Sequence, residues 1–359
     1  MSDNVPTQSG ITRLLVYDGV GETIALGLTN EDYPAALFIE RWHERGKRAY
    51  FGLETEGIVQ EIARDQGGAY VDLATGETAF LSLKPGTDCI RGERIAVRVA
   101  SEAYQDKLAR IVRRPPDAKS TTAKPPSPPT AFEAWCRSVN LPEEISREET
   151  LDVDQIEDAL EAATADTAMI DNGGRLQFGH TAALTAVDID SGGRHSKGSP
   201  ESRAIAVNSD AIQTAMRELT LRSIGGIVVL DCVGPIRRAQ GERLKDLAIS
   251  ARRRFMKGRM QIFAPSPLGL MEMSFARTTA SIRDRLLDSA RSIERADTVA
   301  LKAFRKLEQE ARQNRTASLS LDLPPPAFHW HRAHEKIHME AFQARYGARI
   351  SIQERNPKD

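Results

Sequence analysis

The sequence predicts a multidomain protein of the α+β and α/β classes, in which a strand-rich N-terminal region precedes an α/β layer. Three observations predict this class. Short strand-like runs separated by turn residues fill residues 11–112. A break rich in Pro, Ser, Thr and Lys follows at 113–130, and apolar strand-like runs then alternate with helical patterns across 166–280. A chain of 359 residues has room for two or three domains.

The N-terminal elements are short strands. The runs ITRLLVYD and ETIALGLT are joined by Gly-Val-Gly, which predicts a β-hairpin within a region that we assign to residues 1–50. The runs EGIVQEIA, GAYVDLA, ETAFLSL, ERIAVRVAS and KLARIVR predict a small barrel or sandwich over 51–112. The segment 113–130 is expected to be an extended linker.

The second half begins with a predicted helical connector over 131–165, whose best helical run is DVDQIEDALEAAT. In the α/β region at 166–280, the predicted strands are GRLQFGH, ALTAVDID, GGIVVLDCV and RMQIFAP, and the predicted helices are ESRAIAVNSDAIQTAMRELTLR and RAQGERLKDLAISARRRFM. Residues 281–359 are predicted to be largely helical. A long charged helix over 275–317 is followed by a break at SLSLDLPPP, a last helix and a short strand, ARISIQ.

Composition excludes several classes of protein. The chain is 40% hydrophobic and 28% charged, and it contains no apolar run of 18 residues that would cross a membrane. The N-terminal MSDNVPTQSG lacks the build of a signal peptide, so we expect a cytoplasmic protein. The three cysteines form no CxxC pair, which argues against a disulfide framework and against a cysteine zinc site.

Charge is distributed unevenly along the chain. The net charge is −1, yet the segment 235–260 is strongly basic. Such a segment either neutralises the phosphates of a nucleic acid or forms a solvated helix face, and the sequence leaves these two interpretations open.

Carboxylates end two of the predicted strands. Asp188 and Asp190 lie two residues apart and therefore point to one face of their strand, and Asp231 ends the run GGIVVLD. Neighbouring strands would bring Asp188 and Asp231 together, where they would repel unless a cation such as Mg²⁺ or Mn²⁺ joined them. The alternative is that these acids cap turns. A calcium loop is excluded, because Ser199 occupies its twelfth position.

Three stretches in order, GHTAALTAVDIDSGGR, LRSIGGIVVLDCVG and MKGRMQIFAPSPLGLMEMS, resemble the catalytic core of the ribonuclease E/G family over residues 170–280. The run GGAYVDLATGETAFLSL resembles the S1-type barrel of the same family. The resemblance implies N-terminal strands with an inserted S1-type (OB-fold) barrel. It also implies an α/β catalytic layer of DNase I-like or RNase H-like type and C-terminal helices.

The resemblance also implies a function. The implied function is that of a Mg²⁺-dependent endoribonuclease, which cleaves single-stranded RNA and leaves 5′-phosphate and 3′-hydroxyl ends, in RNA processing or decay. Asp190 stands where the family usually has asparagine, so extra negative charge is expected beside the phosphate. The implied catalytic residues are Asp188, Asp190 and Asp231, of which Asp188 and Asp231 hold the metal, and the implied RNA-binding residues are Tyr70, Phe80, Lys107, Lys257 and Arg259.

Three departures from the family pattern define a short member. The segment between barrel and core is too short for the family's 5′-sensing domain, and Ala182 stands where an acid is common. The family's cysteine pair, which links protomers through zinc, is absent after the core. The sequence is still compatible with a homo-oligomer. A non-catalytic RNA-binding protein of the same family is therefore the alternative function.

The C-terminal HEKIH, residues 334–338, fits the H-E-x-x-H zinc protease signature, in which His334 and His338 share one helix face and Glu335 activates water. A zinc metallopeptidase is the weaker alternative. Lys336 places a charge where such helices normally carry uncharged residues, and the 21 residues after His338 leave little room for a third ligand and a substrate cleft.

Overall fold

The computed structural model describes residues 8–84, 89–104, 107–114, 129–150, 152–192, 199–288 and 292–355. Most of the linker expected at 113–130 lies outside these residues. In the described part, no helix combines the length and the apolar character needed to cross a membrane.

The N-terminal third is built from eight strands: β1 (Arg13–Gly19), β2 (Glu22–Leu28), β3 (Pro34–Arg41), β4 (Glu54–Ala63), β5 (Gly68–Leu73), β6 (Thr78–Ser82), β7 (Arg94–Ser101) and β8 (Ala109–Arg113). The middle of the chain contains α1 (Ala131–Ser138), β9 (Arg147–Glu149), α2 (Val153–Thr164), β10 (Thr167–Met169), β11 (Arg175–His180), β12 (Leu184–Asp190), α3 (Pro200–Leu221), β13 (Gly226–Asp231), α4 (Arg238–Phe255), β14 (Met260–Ile262) and β15 (Leu270–Phe275). The last part contains α5 (Ile282–Leu286), β16 (Leu287–Asp288), β17 (Ile293–Glu294), α6 (Ala296–Gln313), β18 (Leu319–Leu323), α7 (Pro325–Ala333), α8 (Glu335–Tyr346) and β19 (Ile350–Glu354).

The N-terminal hairpin is part of a larger sheet. Strands β1 and β2 pair antiparallel as predicted, and β3, which the sequence analysis did not identify, pairs with β2. Strand β9 adds to β1 in parallel and completes a four-stranded sheet in the order β3-β2-β1-β9. The connector at 131–165 is therefore only partly helical, since β9 lies between α1 and α2.

A closed five-stranded barrel follows, in the order β4-β5-β6-β8-β7, which is consistent with an OB fold. Its interior is filled by side chains that alternate along each strand with exposed ones, including the fully buried Val59, Val71 and Val97. Of the small barrel or sandwich predicted for this region, the structure has the barrel.

The α/β region forms a six-stranded sheet in the order β10-β11-β12-β13-β15-β14. Helices α3 and α4 cover one face of this sheet, where buried residues such as Val187, Leu230 and Met273 join one core cluster. Residues at alternate strand positions point to the opposite face, which carries exposed side chains. The two predicted helices, 201–222 and 238–256, correspond to α3 and α4.

The long charged helix predicted over 275–317 is wrong. The buried residues Met271, Met273 and Phe275 lie at every second position, which is the period of a strand. Phe275 is therefore the last residue of β15, and no helix begins there. The Ser281 side chain then accepts the backbone N–H of Asp284 and begins the short helix α5. Helix α6 starts only at Ala296.

The break predicted at SLSLDLPPP is a strand, β18, which pairs in parallel with β19. Helix α6 joins this C-terminal region to the N-terminal sheet through buried polar contacts. Arg305 forms ion pairs with Glu22 and Glu157, and the carboxylate of Glu308 accepts hydrogen bonds from the Tyr17 hydroxyl at 2.7 Å and from a backbone N–H of the hairpin.

Candidate functional site

Two carboxylates meet at the centre of the six-stranded sheet. Strands β12 and β13 run parallel, and their register places Asp188 directly opposite Asp231. Both side chains are on the face away from α3 and α4, because the neighbouring Val187 and Leu230 are buried. Neither carboxylate hydrogen-bonds or forms an ion pair with any described residue. The structure therefore brings this predicted pair together and leaves both charges open to the solvent.

This pair fits a hard divalent cation. Neighbouring strands lie about 4.8 Å apart, so two carboxylates at opposed positions repel each other. An ion that takes two carboxylate oxygens and keeps several waters, as Mg²⁺ does, would relieve that repulsion. Among the described residues no group of three or more His, Cys, Asp or Glu is arranged to hold a metal, so the site offers a two-carboxylate set.

A further acid shares this face of the sheet. Glu272 on β15 pairs in register with Val229, two residues before Asp231, and its side chain is exposed. Glu272 therefore lies diagonally from Asp231, about 7–8 Å away, and among the described residues it does not complete a three-ligand metal group with Asp188 and Asp231. The sequence analysis missed this residue, although its position in the alternating run LMEMSF places it on the exposed side.

Asp190 has a different environment from Asp188. Strand β11 pairs antiparallel with β12, and Arg175 stands opposite Asp190 with its Nε 3.0 Å from Oδ2. The other carboxylate oxygen accepts the backbone N–H of Gly192 at 3.0 Å, as in an Asx turn. The turn interpretation therefore applies to Asp190, and the extra negative charge expected there is partly neutralised by an arginine that the sequence analysis did not consider.

The outer surface of the barrel carries an aromatic and basic patch. Tyr70 and Phe80 face each other across β5 and β6, with ring centroids 5.6 Å apart in an edge-to-face arrangement. Both alternate with fully or nearly buried residues, so they are outside the barrel core. Arg110 on β8 stands beside Phe80 in the register. Lys107 lies three residues earlier and forms a bridge with Tyr104, so Arg110 is the basic residue nearest the aromatic pair in the register.

A basic cleft separates the barrel from the six-stranded sheet. It has a volume of about 1560 Å³ and is lined on the barrel side by Arg98 and Arg110. On the sheet side it is lined by Lys257 and Arg259, which precede the edge strand β14. Two residues predicted to contact RNA therefore lie in this cleft, together with two barrel arginines that the sequence analysis missed.

The arginine run of α4 divides between surface and interior. Arg252 is 4% exposed, stacks on Phe275 at 4.6 Å from the ring centroid, and donates to the carbonyl oxygen of Met216 and to Thr220. Burial lowers the pKa of Arg252 to about 10. Arg253 lines the basic cleft. The interpretation as a solvated charged face is therefore incorrect for Arg252.

The geometry does not support a zinc protease site at HEKIH. His334 lies at the junction between α7 and α8, with its ring centroid 6.0 Å from that of His338 and its Nδ1 2.9 Å from the carbonyl oxygen of Trp330. Among the described residues these side chains form no group of three or more metal ligands. The Nδ1 atoms of His331 and His338 are 3.2 Å apart in the interior, and Glu335 pairs with Arg332 on the surface. Burial lowers the pKa of His338 to about 3. These histidines are packing residues.

A barrel that carries a half-buried aromatic pair and exposed basic residues is separated by a basic cleft from a sheet that bears two opposed carboxylates. As a class, this is a protein with a closed five-stranded barrel, consistent with an OB fold, beside a sheet surface that bears carboxylates. The model of the ribonuclease E/G family matches residues 83–278, more than half of the chain, and the chain therefore belongs to this family.

The chain is similar to ribonuclease E of Escherichia coli, with 30% identity over 182 residues that cover 48% of this chain and 17% of the relative. Ribonuclease E of Haemophilus influenzae is 31% identical over 180 residues, covering 47% of this chain and 19% of the relative. Ribonuclease G of Salmonella typhimurium is 28% identical over 150 residues, covering 41% and 30%. Each alignment thus spans less than a third of the relative's length.

Proposed function

We propose that the protein is a Mg²⁺-dependent endoribonuclease that cleaves single-stranded RNA at the Asp188–Asp231 pair and leaves 5′-phosphate and 3′-hydroxyl ends. The observation that carries this proposal is the register that sets these two carboxylates opposite each other without a protein cation between them. Membership of the ribonuclease E/G family supports the reaction class.

Asp188 and Asp231 would hold the ion. When bound, Mg²⁺ would polarise a phosphate group of the RNA and lower the pKa of a bound water. The other residues of the chain bind and orient the RNA. Tyr70 and Phe80 offer stacking surfaces for bases, and Arg110 beside them offers a cation for the backbone.

The basic cleft lies between the barrel and the edge of the sheet that bears the carboxylates. Arg98 and Arg110 on one side and Lys257 and Arg259 on the other would neutralise successive phosphates. Gln261 of β14 also lines the cleft, and β14 is separated from β13 by β15 alone. The strand spacing makes that step about 10 Å, and Asp231 also lies about 14 Å further along the strands, because it pairs with Leu270 whereas Gln261 pairs with Ser274. An RNA strand that leaves the cleft over β14 would still reach Asp231 within a few nucleotides.

The test is cleavage of an end-labelled single-stranded RNA by the full chain, with Mg²⁺ or with EDTA. We expect cleavage only with Mg²⁺, 5′-phosphate products, and loss of cleavage in Asp188→Asn and Asp231→Asn. Asp171→Asn is the matched control, since Asp171 is an exposed acid in the β10–β11 turn of the same sheet. Cleavage by Asp188→Asn at a rate near that of the unmodified chain would show that the metal assignment is wrong.

A second candidate function is RNA binding without cleavage. It is favoured by the Asp190–Arg175 ion pair, which adds to this face a charged pair where the family usually has a neutral amide. Tight binding of the labelled RNA combined with intact RNA after long incubation with Mg²⁺ or Mn²⁺ would establish this candidate in place of the first.

A further inference from the structure

The Arg175–Asp190 pair lies beside the opposed carboxylates. Arg175 stands opposite Asp190 on the neighbouring antiparallel strand, so it is diagonal to Asp188, about 7–8 Å away between Cβ atoms and within reach of a long side chain. Gly174 holds this end of the hairpin close, because a Cβ there would be 2.7 Å from the Asp190 carbonyl oxygen. Backbone geometry therefore fixes the arginine next to the candidate cleavage site.

Asp190 is the ion-pair partner of Arg175 among the described residues. Arg175 approaches it through Nε at 3.0 Å, and its guanidinium forms no ion pair with any other described residue. The side chains are 54% and 42% exposed. An exposed ion pair contributes little to stability, so the arginine can leave Asp190 at small cost when a stronger anion arrives. Phosphate oxygens accept charge-assisted hydrogen bonds from arginine in a fork geometry.

We propose that Arg175 is a substrate-binding residue that exchanges partners. Without RNA it contacts Asp190. With RNA its Nη groups bind a non-bridging oxygen of a backbone phosphate. This phosphate is next to the one that would be cleaved at the Asp188–Asp231 pair. Asp190 then acts as a competitor for the guanidinium and limits the affinity for RNA. The proposal rests on the proposed function, because it needs the RNA backbone to cross this face of the sheet.

The alternative is that Arg175 serves only to hold the β11–β12 hairpin through Asp190. The two roles differ in one variant. If Arg175 acts only through Asp190, removing Arg175 has no further effect on RNA binding once Asp190 is an asparagine. If Arg175 binds phosphate, its removal weakens RNA binding more strongly in the Asp190→Asn chain, where the competing carboxylate is absent.

The experiment measures the affinity for a single-stranded RNA in the full-length Asp188→Asn chain, in which cleavage is blocked, at several salt concentrations. In this parent, Arg175→Gln should weaken binding about fivefold and lower the slope of log affinity against log salt by about 0.7. Asp190→Asn should tighten binding. In the Asp190→Asn chain, Arg175→Gln should cost about tenfold or more, and Arg175→Lys should retain part of the affinity.

The matched control is Arg332→Gln. Arg332 pairs with Glu335 at nearly the same exposure, 57% and 42%, in the C-terminal region. It should leave the affinity and the slope unchanged. An unchanged slope for Arg175→Gln, or no effect of Arg175→Gln in the Asp190→Asn chain, would overturn the exchange while leaving the proposed function intact. A parent that binds no RNA at any salt concentration would overturn both.

Discussion

Replacing Asp188 with asparagine should have opposite effects on thermal stability with and without Mg²⁺. The opposed carboxylates of Asp188 and Asp231 lie on strands about 4.8 Å apart and have no protein counter-ion among the described residues. Their repulsion on this exposed face is about 0.5–1 kcal/mol. In EDTA, Asp188→Asn removes that repulsion, so the variant should unfold at the same temperature as the unmodified chain or slightly higher.

Mg²⁺ should reverse the order. At a free Mg²⁺ concentration ten times the dissociation constant, binding to the folded state stabilises the unmodified chain by about 1.4 kcal/mol. Asp188→Asn, which lacks one charged ligand, should gain little, and so the two melting curves exchange places. The assay is thermal unfolding at fixed ionic strength in EDTA and across a Mg²⁺ series, with Asp171→Asn as the control that shows no crossing.

Two results would refute this reasoning. If Asp188→Asn unfolds at a lower temperature in EDTA, the carboxylate supports the fold instead of opposing its neighbour. If Mg²⁺ stabilises the variant as much as the unmodified chain, the ion binds elsewhere.

Three further predictions concern other parts of the molecule. Burial lowers the pKa of His338 to about 3, so the unfolded chain takes up a proton below pH 6.5 that the folded chain does not. Stability should therefore be full above pH 6.5 and fall by about 2 kcal/mol at pH 5, as denaturant titrations can measure, and a flat profile would contradict the burial. Arg110→Gln should weaken RNA binding more than Lys107→Gln, because Arg110 adjoins Phe80 in the register; equal losses in a salt-dependent binding assay would remove this distinction. RNAs with 5′-monophosphate, 5′-triphosphate and 5′-hydroxyl ends should be cleaved at similar rates, since only α1, β9 and α2 are described between the barrel and the six-stranded sheet, and a strong preference for the monophosphate would reveal a 5′-end site.

The meeting of Asp188 and Asp231 could be predicted because it depends on local signals. Each acid follows an apolar run of strand length, and parallel strands of one sheet bring equivalent ends together. Helices α3 and α4 were likewise predictable, since both are long and one face of each is apolar.

The partner of Asp190 could not be predicted in the same way. Its contact with Arg175 depends on the antiparallel register of β11 and β12, which the three-residue turn between them sets, and a shift of one residue would have turned the arginine to the other face. The burial of Arg252 within an Arg-Arg-Arg run depends on Phe275, 23 residues away, and no local pattern reports it.

The error at 275–317 has a similar origin. Its charged, helix-favouring composition agrees with a helix, but the buried alternation up to Phe275 and the cap at Ser281 divide it. Strand β18 was missed because its partner, β19, lies 31 residues further along the chain and contributes the pairing that five residues alone do not signal.

The contacts between the first hairpin and α6 have a consequence for synthesis on the ribosome. Tyr17 and Glu22 make their buried polar contacts with residues 291 and 283 positions later. At translation rates of 5–20 residues per second, roughly 15–60 s pass between the emergence of the hairpin and that of helix α6. During this interval the barrel has all its strands, whereas the hairpin carries the unpaired carboxylate of Glu22. The nascent chain therefore completes its barrel well before the buried polar contacts between the N-terminal hairpin and helix α6 can form.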